Sequence, residues 1–394
     1  MLLKEEIKKI ANEIKMDVVK KRRFLHQNPE LSFKEFNTSA YIKKTLDELD
    51  ISWTSVAETG VIALIKGKQP SDKVIALRAD MDALPIYEKN KIDYKSVNEG
   101  VMHACGHDVH MASALGVAKV LKNLTNSFKG TVKLIFQPAE EVLPGGAIKV
   151  IEEGALNNPK TEAIIGQHVM PSILSGQVAI RSGKFMASMD EIRIRIIGKG
   201  GHGAEPYKVV DAVTVAATLI ATLQQVVSRK NNPSTPTVLS FGKLQANGSI
   251  NIIPDEVLLE GTFRTMDEKW RDEAHRQIVS ITESVAKGLG CDCVIEIKKG
   301  YPCLHNDAIL TKNIRNQMEE YLGKENVIDS DIWMASEDFA YYSKQLPSCF
   351  YLLGVGKNKD ENPSLHTSTF NINEDSIEVS VGLMSYILLR NLGN

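Results

Sequence analysis

The 394-residue chain predicts an α/β fold: a mainly parallel sheet with helices on both faces, interrupted by a smaller α+β domain. Two observations predict the sheet. Strand candidates such as KVIALRADMD and TVKLIFQPAEE are nearly continuous in apolar residues, which suits strands buried on both faces. They recur in the order strand, polar end, helix, as an α/β layer requires. A third observation predicts the insertion. Near Gly183 the pattern changes to DEIRIRIIG, where Ile192, Ile194 and Ile196 alternate with arginines, the mark of an antiparallel strand with one wet face. The boundaries expected are 1–183 and 300–394 for the sheet domain and 184–299 for the inserted one.

The elements follow in order. Leu3, Ile7, Ile10, Ile14 and Val18 keep helical spacing and predict a first helix. Asn28-Pro29 breaks it. His26, just before that turn, is expected at the surface or as a cap, and Lys20–Arg23 as a solvated helix end. Ile42, Leu46 and Leu49 mark a second amphipathic helix. VIALIKG and KVIALRADMD read as strands, the second ending in Asp80 and Asp82. MHACGHDVHM leads into the helix SALGVAKVLKNL. TVKLIFQPAEE is a strand ending in Glu140 and Glu141, PGGAIKVIEEG a glycine turn and helix, and EAIIGQHV a strand ending in His168. In the insertion, a helix over 209–227, strands over 238–244 and 257–264, a helix over 268–287 and the strand CVIEIKK complete a βαββαβ-like unit. The first domain resumes with a helix over 308–322, SEDFAYYSKQL, the strand CFYLLG, His366 and a last helix over 375–391.

Bulk properties exclude several classes. Apolar residues at 43%, charged residues at 24% and a formal net charge of -2 fit a soluble globular protein, with no call for nucleic acid or a membrane surface. The N-terminus lacks an apolar core of signal-peptide length, and no stretch reads as a bilayer span. Five cysteines, an odd count without paired spacing, make a poor disulfide framework. Cys291 and Cys293 read as ordinary strand side chains. A thiolate ligand at Cys105 needs a reducing compartment, so the cytoplasm is expected.

The chemistry gathers around Met102–Met111. His103, Cys105, His107, Asp108 and His110 offer the thiolate, imidazole and carboxylate groups that bind divalent transition metals. With Glu140, Glu141, His168 and His366 they suggest a two-metal hydrolytic site drawn from four stretches. Taken alone, the first run favours metal binding over a plain histidine-rich loop opening a helix, and a lone strand-end histidine is more often structural. However, Cys105, His107, Glu141 and His168 all fall at one edge of one sheet, beyond the strand ends where α/β proteins collect ligands. Asp82 is favoured for chemistry and Asp80 left open. GKGGHGAEP is a poor phosphate loop, lacking the Lys-Ser or Lys-Thr and the βαβ context. Its glycines let the backbone bend around His202, structural or functional.

RADMDALP, MHACGHDVHM, QPAEE, GQHV, GGHGAEP, NIIPD, GTFR, SEDF and LHTSTF occur in an order that resembles the metallo-amidohydrolases of the aminoacylase and glutamate-carboxypeptidase type. Within these, the chain is similar to the branch of hippurate hydrolase, N-acetyldiaminopimelate deacetylase and the auxin-conjugate hydrolases. The resemblance covers nearly the whole chain. It implies a catalytic domain interrupted by a lid that often forms the dimer contact, so a homodimer or higher homo-oligomer. It implies two divalent ions held by Cys105, His107, Glu141, His168 and His366, with manganese and zinc both in use in the family. Glu140 matches the general base, Asp82 the active-site aspartate, and His202 a lid histidine that assists catalysis. Asn251 and Arg264 match lid positions associated with substrate. Asp80 stands where relatives outside this branch place a metal-binding histidine.

The expected activity is therefore hydrolysis of the amide bond of small N-acyl amino acids, releasing a carboxylic acid and a free amino acid. A dipeptidase or carboxypeptidase with the same machinery is the nearest alternative. A non-catalytic metal-binding protein has no use for Glu140, and a metal-free cysteine hydrolase would rest on Cys105.

Overall fold

The computed structural model describes residues 3–358 and 362–393. They divide into two compact units. The first comprises the described residues up to Phe185, His305–Ile332 and those from Asp338 onward; the second comprises Met186–Leu304 with Trp333–Glu337.

The first unit is built on an eight-stranded sheet, in the order Trp53–Val56, Gly60–Lys66, Lys129–Gln137, Gln69–Asp80, Ala163–Leu174, Ser348–Gly356, Val178–Ile180 and Val327–Asp329. The four central strands run parallel, and antiparallel pairing begins at Gly60–Lys66 on one side and Val178–Ile180 on the other. Lys129–Gln137 and Ser348–Gly356 are buried along nearly their whole length. This accounts for their unbroken apolar runs, because both faces are covered. Helices Leu3–Gln27, His107–Asn123 and Asp375–Asn391 pack on one another and share one core with the strands. Ile7, Ile14 and Val18 of the first helix are buried in it, as their spacing predicts.

Among the parallel strands the chain runs first along Gln69–Asp80, then to Lys129–Gln137 on one side of it, then to Ala163–Leu174 on the other. The strand order thus reverses at Gln69–Asp80. A crevice opens beyond the carboxyl ends of strands at such a reversal, and Asp80 is the last residue of this strand.

One expectation fails here. Arg22 and His26 are fully buried, neither a solvated helix end nor a surface cap. Arg22 Nε donates to Asp108 Oδ2 at 2.7 Å, and the His26 ring lies 2.8 Å from the same oxygen and 3.1 Å from Glu88 Oε1. Asp108 opens a helix that is almost wholly interior, and a buried acid must be paired. The first helix supplies the partners, a long-range demand that charge patterning does not reveal.

The second unit is a four-stranded antiparallel sheet in the order Thr237–Ala246, Glu256–Thr265, Asp190–Ile197, Asp292–Lys299. Ile192, Ile194 and Ile196 are fully buried in a core shared with helices Ala212–Gln225 and Glu268–Gly288. Asp211 and Asp267 cap these helices by accepting backbone N–H groups of their first turns. The order strand, helix, two strands, helix, strand is the one expected. Helix Ala212–Gln225 continues through a π turn to Lys230. This stretch, Ala212–Lys230, is long and apolar enough to cross a membrane by length and composition, contrary to the expectation from sequence. Ala212, Val215, Ala216, Leu219 and Leu223 instead give it one buried stripe within the unit. All five cysteines are free thiols.

Candidate metal centre

Four segments of the first unit meet beyond the ends of the central strands. The parallel register sets Arg78 opposite Gly166, so Gln69–Asp80 ends level with His168. Gly106 starts the helix that carries His107. Its φ is 85°, and a Cβ there would lie 2.3 Å from Val169 Cγ2, so only glycine fits. Gly146 opens the helix behind Pro138–Glu141, and a Cβ on it would lie 1.8 Å from Pro138 O. His366 sits in a loop with φ 60°, its backbone N–H bonded to Ala104 O at 2.9 Å. That bond brings residue 366 beside Cys105.

Cys105 Sγ lies 3.3 Å from His168 Nε2 and 3.2 Å from His366 Nε2. His366 Nε2 is 3.4 Å from Glu141 Oε1, which is 4.0 Å from His107 Nε2. The donor atoms fall into overlapping groups, each within 4.8 Å: Cys105, His107 and His168; Cys105, Glu141 and His366; His107, Glu140 and Glu141. The five ligands expected from the sequence are thus side by side with Glu140, and Cys105, His107 and Glu141 each belong to two of these groups.

The donors fit divalent cations. His107 Nδ1 lies 2.9 Å from Asp82 O, and His168 Nδ1 lies 2.7 Å from Val169 O. A carbonyl only accepts, so both Nδ1 atoms carry a hydrogen and Nε2 is the ring atom turned to the donor groups, the usual orientation of a metal-binding histidine. His107 Nε2 and Glu141 Oε1 are buried without a hydrogen-bond partner among the described residues, a costly state unless something binds them. Burial opposes charge on His107, but Asp80, Asp82 and Glu141 outweigh it and raise the imidazole to about 10. The pocket therefore favours positive charge. Burial, with His110 beside it, lowers His168 to about 3 and keeps it neutral.

Asp82 and Asp80 have distinct surroundings. Asp82 Oδ1 accepts the Glu140 N–H at 3.0 Å, and Oδ2 accepts the Glu141 N–H at 2.9 Å and the Ser32 hydroxyl at 2.6 Å. Burial opposes its charge, but His107, Ser32 and the Glu141 amide hold it below the ordinary carboxylate range. Asp80 Oδ1 is 2.6 Å from His110 Nδ1, and Oδ2 accepts from Arg78 Nη1 at 2.5 Å. Its Oδ2 stays 3.7 Å from His107 Nε2. Arg78 also bonds Asp338 at 2.7 Å and Gln137 at 2.9 Å. Asp80, left open by the sequence, is thus set among Arg78, His110 and His107. Arg78 and Ser32 escaped sequence reasoning. A charged residue inside an otherwise apolar strand was the signal for Arg78.

His110 joins Asp80 and His107 in a further donor group, whereas two members of the histidine-rich run stay apart from all of them. Asp108 is paired with Arg22 and His26. His103 is buried with both ring nitrogens unpartnered among the described residues, and burial lowers it to about 4. Cys105 is poorly suited to act as a nucleophile by itself. Burial and the carboxylates of Glu141, Glu140 and Asp80 push its thiol well above the ordinary value, whereas reactive thiolates need electropositive surroundings.

In the second unit, His202 and Asn251 are exposed on a two-stranded ribbon in which His202 pairs with Ile252. Gly203 N–H bonds Asn251 O at 2.9 Å, and Ala204 N–H bonds His202 Nδ1 at 3.0 Å. That bond leaves Nε2 as the ring atom available outward. Arg264 is partly buried, with Nη1 donating to Met334 O at 3.1 Å, and burial lowers its pKa.

The model of peptidase family M20/M25/M40 matches residues 76–390. The chain is 40% identical over 383 residues to an N-acetyl-L-cysteine deacetylase of Bacillus subtilis (strain 168), covering 96% of this chain and 89% of that protein. It is 40% identical over 308 residues to an N-acyl-L-amino acid amidohydrolase of Geobacillus stearothermophilus, covering 78% and 82%. Among solved structures, a Bacillus subtilis protein described as a dinuclear metal-binding peptidase superposes with a TM-score of 0.83 at 33% identity, covering 97% of this chain and 99% of that one.

Proposed function

The chain belongs to peptidase family M20/M25/M40, and on that footing we propose that it hydrolyses the amide bond of N-acyl amino acids with two divalent ions. The observation that carries this reading is the tandem Glu140-Glu141. Both backbone amides are held by Asp82, while the Glu141 carboxylate lies among Cys105, His107 and His366. Glu141 shares a donor group with Cys105 and His366 that Glu140 does not join, which supports reading Glu141 as the ligand and Glu140 as the base. The relatives named as a deacetylase and an amidohydrolase support the substrate class.

Cys105, His107, Glu141, His168 and His366 would hold the ions. When bound, two divalent ions supply Lewis acidity, easing deprotonation of a shared water and polarising the acyl oxygen. The chain's own groups do the rest. Glu140 takes the proton of the attacking water and passes it to the leaving amine. Asp82 fixes the Glu140-Glu141 backbone and, through its carbonyl, the His107 ring. His202 donates to the oxygen that gains charge. Asn251 and Arg264 receive the amino-acid part of the substrate, with Arg264 on its carboxylate. A thiolate among imidazoles favours zinc on affinity, and manganese competes through availability.

The working unit we propose is a homodimer joined through the second unit. Exposed apolar residues there support it: Leu244 on the edge strand Thr237–Ala246 is 48% exposed and Val213 on the adjoining helix 36%. Free thiols with one at the centre support a cytoplasmic, reducing location.

A substrate panel tests the function. N-acetyl, N-benzoyl and longer acyl amino acids should be hydrolysed faster than matching dipeptides with a free α-amine. Dipeptides turned over faster than every acyl amino acid would overturn the assignment in favour of a peptidase.

A further inference from the structure

Glu35 is fully buried and ends the loop that precedes helix Phe36–Glu48. Its carboxylate makes no cap bond to that helix. Oε1 accepts the backbone N–H of Ala139 at 2.8 Å and of Phe33 at 3.0 Å, and Oε2 accepts the Thr59 hydroxyl at 2.8 Å. Ala139 stands immediately before Glu140. Its φ is 52°, a strained conformation for a residue with a Cβ that persists only where surroundings enforce it.

Three consecutive amides, of Ala139, Glu140 and Glu141, are therefore gripped by two buried carboxylates, Glu35 on the first and Asp82 on the other two. On the far side of the turn, Ala139 O accepts the Gly146 N–H at 2.8 Å. The strained residue is thus clamped through both its backbone groups. Burial and the facing Asp82 push the Glu35 carboxyl up to about 6, so its ionisation at neutral pH costs folding stability. A second anion beside Asp82 is a poor choice for stability alone.

We propose that Glu35 is a positioning residue. By holding the Ala139 amide it fixes the left-handed turn that aims Glu140 at the reacting water and Glu141 at the ions. This rests on Glu140 being the proton carrier, as read above. A glutamine at 35 could keep the arrangement: its oxygen would accept from Ala139 and Phe33, while its NH2 would donate to a Thr59 hydroxyl turned round as acceptor. Alanine would release the turn. Aspartate keeps the charge but is one methylene short of Ala139.

The test compares Glu35→Ala, Glu35→Asp, Glu35→Gln and Glu140→Gln as full-length proteins. Steady-state kinetics on an N-acyl amino acid at saturating zinc is combined with zinc affinity from chelator competition. Glu35→Ala and Glu35→Asp should lose about 100-fold in kcat, with KM within about threefold of wild type and zinc bound about tenfold more weakly. Glu35→Gln should recover kcat to within about fivefold of wild type by the same geometric reasoning. Wild-type kcat and zinc affinity in Glu35→Ala and Glu35→Asp, or a Glu35→Gln as impaired as Glu35→Ala, would overturn the proposal. If Glu35→Ala does not fold, Glu35→Asp and Glu35→Gln decide it alone. Should Glu140→Gln lose turnover while the Glu35 variants do not, only the positioning role falls. If Glu140→Gln itself turns over normally, the proton-carrier reading falls with it.

Discussion

Cys105 Sγ and His366 Nε2 lie 3.2 Å apart although 261 residues separate them. The bond from His366 N–H to Ala104 O makes that approach possible. Backbone pairing one residue away from the thiol brings a distant loop to the centre, and a left-handed residue then turns its ring inward. The site is thus closed by main-chain bonds as well as by side chains.

Asp82→Asn separates charge from shape at the tandem acid. Both Asp82 oxygens accept backbone N–H groups, one from Glu140 and one from Glu141. An amide side chain must turn its NH2 toward one of them, leaving that buried N–H unpaired at a cost of about 1–3 kcal/mol. Turnover should fall about 100-fold, and zinc should bind about 10–100-fold more weakly. Chelator competition with steady-state kinetics checks both, and wild-type values would show that Asp82 does not set the turn.

His202 offers a test of whether subunits share sites. His202→Ala and Glu140→Gln are each expected to be inactive. If the ribbon of one subunit serves its partner, exchanging their chains makes one whole site in each mixed dimer. Random exchange should then restore about a quarter of wild-type activity per site. Proven exchange without recovery would confine His202 to its own chain or remove it from the reaction.

The second unit carries a buried ion pair with a pH signature. Arg271 donates from Nε to Asp190 Oδ2 at 2.9 Å, and His275 Nε2 lies 2.7 Å from the same oxygen. Arg271 also donates to Met189 O at 3.1 Å and Gly300 O at 3.0 Å. Burial opposes the charge on Asp190, but His275 and Arg271 outweigh it and hold the carboxyl below its ordinary range. A depressed acid contributes stability that is full above its unfolded pKa, about 3.9, and is lost as pH falls through the folded value. Asp190→Asn should therefore cost about 3–5 kcal/mol near neutral pH by stranding Arg271, and the difference should shrink below about pH 4. Urea unfolding at several pH values measures it; a cost that does not change with pH would contradict the assignment.

Much of the fold was legible because its signals are local. Unbroken apolar runs gave the central strands, and the change to alternation at Ile192, Ile194 and Ile196 gave the second sheet. Cys105, His107, Glu141 and His168 could be set at one sheet edge because strand ends and the loops beyond them carry them there. The partners of buried charge were not legible. Nothing near Arg22 or His26 in sequence announces Asp108, and nothing near Glu35 announces Ala139, because each demand is met by a residue 82 or more positions away. Arg78 beside Asp80 was within reach, since a charge in a buried strand must be answered. The apolar character of Ala212–Lys230 was missed because alanine and threonine, rather than leucine runs, make up much of it.

On the function proposed above, Glu141 holds metal while its neighbour Glu140 moves the proton. Elemental analysis of zinc-loaded wild type, Glu140→Gln and Glu141→Gln, each paired with its kcat on an N-acyl amino acid, tests this most directly. The account predicts two ions per chain in wild type and in Glu140→Gln, with kcat in the latter down by about 10²–10⁴-fold, and fewer than two ions in Glu141→Gln. Two ions and near-wild-type turnover in both variants would contradict it.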